Sequence, residues 1–96
     1  MSQALNEFEE LWANYRANAK RYSSELLSGS LNNQSMRIKT DKNHKDFKRR
    51  VKWWFEDLSY MEKVEIVLAS VNHEILYAQI HDLLSEDLAL YRIMVQ

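Results

Sequence analysis

Apolar residues recur along the first 27 positions at a steady helical interval. Leu5, Phe8, Trp12, Tyr15, Ala19, Tyr22 and Leu26 step by three and four in strict alternation, a heptad stripe three repeats long. Leu11 and Leu27 widen it. The spacing predicts a helix over 3–27, roughly 36 Å long at about 1.5 Å per residue. Aromatic rings at four of these positions are too bulky for a tight two-stranded seam, so the stripe is expected to pack inside a bundle. Self-association of two chains through Leu5, Phe8, Trp12, Tyr15 and Tyr22 is its alternative use.

The pattern then lapses. Residues 28–42 hold the only glycine, Gly29, among Ser28, Ser30, Asn32, Asn33 and Ser35. They read as a loop that opens with Gly29 in a left-handed helix cap. Asn43, with Asp46 three residues on, resembles a capping box and places the next helix at 43–57. On a helical wheel Phe47, Val51, Trp54, Phe55 and Leu58 share a sector of roughly 100°. Lys42, Lys45, Lys48, Arg49 and Lys52 fill another sector, and Trp53 falls among these cations rather than with the apolar set.

Ser59 and Glu62 form a second capping box, which opens a helix over 60–84. Two apolar stripes run through that segment. One is Val64, Leu68, Val71, Ile75 and Ala78; the other is Ile66, Ala69, Leu76, Ile80 and Leu83. A helix apolar on two sides is expected to be buried on two sides, at the centre of the bundle. Ser85, Glu86 and Asp87 then start a short helix over 86–94, with acids at the positive end of its dipole. The reading is an all-α, single-domain bundle over 1–96, with three long helices and a short C-terminal one.

Composition supports this. One Gly and no Pro in 96 residues leave too few turn formers for a compact β fold. The length suits one core and not two. With no Cys there is no disulfide framework and no thiolate metal site. Apolar runs fall well short of the ~20 residues of a membrane span. Glu7, Glu9 and Glu10 stand where a signal peptide carries positive charge, so a cytoplasmic protein without membrane contact is expected.

Charge changes the picture more. The net value of −1 hides a segregation: residues 16–52 carry eleven cations against three acids, while residues 53–96 carry eight acids against Lys63 and Arg92. Such polarity suits a charged partner, or two segments of one chain that attract each other.

Catalytic chemistry finds no footing. His73 and His81 are about 12 Å apart along a helix, too far to share an ion. The run His73-Glu74-Ile75-Leu76-Tyr77 has Tyr where a zinc protease has its second His. His73 is therefore expected at the core edge with a hydrogen-bond partner. The acid pairs Glu56/Asp57 and Glu86/Asp87 diverge by about 100° and share no site. No enzyme, metal or cofactor is expected.

Two binding functions remain. In the first, Lys42, Lys45, Lys48, Arg49, Lys52 and Trp53 form the contact face for a larger protein or complex, which the chain regulates or inhibits. Interface centres favour Trp, Tyr, Arg and Met, and charge would set orientation and on-rate. In the second, the same lysine row follows a phosphate backbone and Trp53 stacks on an unpaired base. A homodimer is compatible with either.

Overall fold

Asn32 ends the connection after the first helix, ten residues sooner than the composition of 28–42 suggests. Its side-chain Oδ1 accepts the backbone N–H of Ser35 at 2.8 Å, an N-cap. The computed structural model describes residues 3–95. It contains α1 (Gln3–Leu27), α2 (Asn33–Glu56), α3 (Tyr60–Ser70), α4 (Glu74–Leu83), a 3₁₀ turn (Leu84–Glu86) and α5 (Leu88–Val95). The domain is all-helical, with two long helices and three shorter ones in place of the expected three long and one short. Residues 1, 2 and 96 of the expected 1–96 domain lie outside the described residues.

The expected 28–42 loop is thus mostly helix. Only residues 28–32 connect, with Gly29 at φ 83° turning the chain after α1. Nothing in 33–42 breaks a helix, and pairing with α1 outweighs the weak loop preference of its Asn and Ser residues. The Asn43 capping box is absent for the same reason. Asn43 lies in the middle of α2, buried, with Nδ2 donating to the Tyr15 carbonyl at 3.1 Å and Oδ1 accepting from Asn18 Nδ2 at 3.2 Å.

Segment 60–84 is two helices rather than one. The Ser59–Glu62 capping box is present in both directions, at 3.0 and 3.2 Å. The helix ends at Ser70, whose Oγ bonds back to the Val67 carbonyl at 2.6 Å. His73 leaves helical geometry at φ −138°, ψ 101° and caps α4, its Nδ1 accepting the N–H of Leu76 at 3.2 Å. The C-terminal helix starts at Leu88 and not at 86, because Asp87 caps it, Oδ1 accepting the N–H of Leu90 at 3.2 Å.

α1 and α2 form a long antiparallel hairpin. Phe8 stands opposite Trp54 and Phe47, Tyr15 opposite His44, and Tyr22 opposite Lys39. Helices α3 to α5 pack together over one half of this hairpin, α3 against α1 and α4 against α2. That half, the near half, holds the core: Ala4, Phe8, Phe47, Val51 and Phe55 against Ile66, Val67, Leu76, Ile80, Leu84, Leu90 and Met94. The other half, the far half, projects beyond it. Among the described residues no apolar side chain between Glu9 and Asp46 is fully buried. The molecule measures 48 × 26 × 22 Å, and its radius of gyration of 15.6 Å exceeds the ~12.5 Å of a globular chain this long.

The two apolar stripes of the 60–84 segment part company. Ile66, Leu76 and Ile80 face the core, but Leu68 and Val71 are 55% and 60% exposed. The segment does lie between the hairpin and α5, and Val64 and Ile75 pack at the core's edge, but it is not buried on both sides as expected. Beside the core, Trp54 Nε1 is buried without a hydrogen-bond partner, a desolvation cost of order 1–3 kcal/mol.

Candidate interaction face

Helix α2 meets α1 along Asn43, Phe47, Val51 and Phe55, and this fixes what points away. At about 100° per residue, Lys42, Lys45, Arg49, Lys52 and Trp53 fall on the opposite side. All five are exposed, as is Lys48 toward one edge. The face is one continuous helix because residues 33–42 are helical. It therefore gains a second apolar position, Ile38, at 61% exposure, one turn before Lys42.

Trp53 is 56% exposed, and the Arg49 guanidinium lies 5.1 Å from its ring centroid. Arg49 is also held by Asp46, Nη2 to Oδ1 at 3.1 Å, and Lys52 reaches Glu56 at 4.0 Å. These i,i+3 and i,i+4 pairs are exposed and individually weak. Their effect is on shape: Arg49 is tethered at one end and stacked at the other, so Trp53 is presented with one face backed. Lys42, Lys45 and Lys48 have no acidic partner among the described residues.

The heptad stripe of α1 is engaged within the chain. Phe8 is completely buried, and Leu5, Trp12 and Tyr15 pack against the core at its edge. Tyr22 is half-buried between Arg21 and Lys39, 5.1 and 5.8 Å from its ring. A second copy reaches Phe8 only if the hairpin opens.

His73 has two partners. With Nδ1 accepting from Leu76, the ring proton sits on Nε2 and is donated to Glu9 Oε1 at 2.8 Å. This ties the start of α4 to α1 across 64 residues of sequence. The other imidazoles lie beside tyrosines, His81 Nε2 at 3.1 Å from Tyr91 OH and His44 Nδ1 at 3.3 Å from Tyr15 OH. No group of three or more His, Cys, Asp or Glu among the described residues is placed to hold a metal. No helix among them is long and apolar enough to cross a membrane.

Sequence reasoning missed the outward face of α3. Tyr60, Met61, Leu68 and Val71 are 58%, 73%, 55% and 60% exposed. Its signal was the stripe through Leu68 and Val71, which periodicity alone reads as buried. No family model matches the chain, and comparisons with the curated proteins and with the solved structures return no significant match.

Proposed function

We propose that this chain is a non-enzymatic, cytoplasmic interaction protein that binds and regulates or inhibits a larger protein or complex through the basic outer face of α2. The observation that carries this reading is Trp53. A half-exposed Trp braced by Arg49 inside a lysine row has the composition and rigidity of an interface anchor. The lysines around it would steer an acidic surface into place. A partner captured by the native chain and lost with both Trp53→Ala and Lys45→Glu supports this; a partner that stays bound to both variants places the contact elsewhere.

Nucleic acid is the second reading, favoured by the run of Lys42, Lys45 and Lys48 without acidic partners. Asp46 and Glu56 weigh against it, since each offsets a cation on the same face. Titration of the native Trp fluorescence with single- and double-stranded oligonucleotides at ~50 and ~200 mM salt separates the two, because phosphate contacts weaken steeply over that range. Quenching that vanishes at the higher salt favours nucleic acid.

A further inference from the structure

We propose that two copies of this chain pair about a two-fold axis, each laying the far half of its hairpin against the outward face of α3 in the other. The inference goes beyond the α2 face and rests on two surfaces that the fold leaves without cover.

The first surface is on α1. Tyr15, Arg16, Ala19, Lys20, Ser23 and Leu27 line a shallow groove along its far half. On an ideal helix Arg16, Lys20, Ser23 and Leu27 fall within about 40° of the direction of Glu9. Glu9 is the residue that meets His73. The groove therefore continues the side of α1 that meets α3 and the His73 cap lower down, but here none of the described residues covers it. Leu27 is 88% exposed, and neither Arg16 nor Lys20 has an acidic partner among the described residues.

The second surface is on α3. Met61, Leu68 and Val71 are exposed on its outward side, and Glu65 lies between Met61 and Leu68, one turn after Met61. Apolar side chains in contiguous helical register facing solvent mark a contact face.

The surfaces are complementary: a basic rim around Leu27 and Ala19 in one, acid among apolar side chains in the other. The molecule already shows the type of cover its hairpin accepts. The near half is covered by helices from the acidic 53–96 segment, and the far half, with Arg16, Lys20, Arg21, Arg37 and Lys39 against Glu25 and Asp41, has no such cover among the described residues. The α3 face of a second copy supplies it. Each copy carries one surface of each kind, and about a two-fold axis the pair makes the contact twice, which closes it at two. Trp53 and the lysine row point away from α1 and stay outside the contact.

The test is sedimentation of the 96-residue chain. At ~50 mM salt the mass should approach twice the 11.5 kDa of one chain and fall toward a single chain at ~500 mM, where exposed pairs are screened. Arg16→Glu/Lys20→Glu alone should be a single chain at both salts. So should Glu65→Lys/Asn72→Lys alone, Asn72 being the exposed residue that directly follows Val71 at the end of this face. All four positions are exposed, and circular dichroism checks that helicity is kept. Mixing the two variants should restore a pair, because each contact then regains opposite charges. A single-chain mass for the native protein at ~1 mM, well above a typical weak-pair dissociation constant, overturns the proposal. So does a native pair that both variants leave intact, or a mixture that stays dissociated.

Discussion

The two halves of the α1–α2 hairpin are built from one heptad stripe and differ in what lies on top of it. In the near half Phe8 contacts Phe47, Trp54 and His73 at ring-centroid distances of 6.2, 5.5 and 5.6 Å, and is fully buried. In the far half the same register brings Tyr22 and Leu26 to the hairpin interface, where both remain half-buried. Helical periodicity is equal in the two; burial is not. Pairing two helices aligns a stripe, and a third layer is needed to remove it from water. The far half is held instead by the Asn18–Asn43–Tyr15 bonds and by cations on Tyr22.

Phe8→Ala is the strongest way to test that difference. It should cost about 3–5 kcal/mol in denaturant unfolding, while Leu26→Ala should cost about 1 kcal/mol. Equal losses would mean that the far half is as well packed as the near. Asn43→Ala comes next, at about 1–3 kcal/mol, since it leaves the Asn18 amide without its partner and removes the second donor from the Tyr15 carbonyl, which keeps its helical bond. Its loss should be local: amide exchange should quicken in α1 and α2 near residues 15–43 and hardly change in α4. His73→Ala removes a cap and the link to Glu9, for about 1 kcal/mol, and the faster exchange should then sit in α4. Trp53→Ala should move stability by no more than about 0.5 kcal/mol, yet weaken partner binding about thirty-fold or more. A large melting shift with binding intact would make Trp53 a structural residue.

Much of this is legible in the sequence where the cause is local. The α1 stripe and the Ser59–Glu62 box depend on neighbours three or four residues away, and both are where their spacing puts them. The exposed α2 face is legible too, since a wheel separates Trp53 from Phe55, and Asp46–Arg49 and Lys52–Glu56 are helix-neighbour pairs. What failed depends on distant partners. Asn43 looks like a cap until Tyr15 and Asn18 are opposite it. His73 begins a new helix while bonded to Glu9. The break at 71–73 contains neither Gly nor Pro, so no residue there announces it. The exposure of Leu68 and Val71 has the same origin: periodicity shows that a stripe is apolar, and only the tertiary arrangement decides whether anything covers it.

The five-residue turn at the hairpin tip has a practical consequence. Gly29 sits in open space, where a β-carbon would have nothing within 4 Å, and its neighbours Ser28 and Ser30 are exposed. Insertions, tags and nicks are best tolerated at such places. A chain cleaved between Gly29 and Ser30 should co-elute as one folded particle on gel filtration, because Phe8, Glu9 and Tyr15 keep the first fragment docked on the second. The tip is therefore the place to insert a fluorophore or an affinity handle, or to express this protein as two complementing halves.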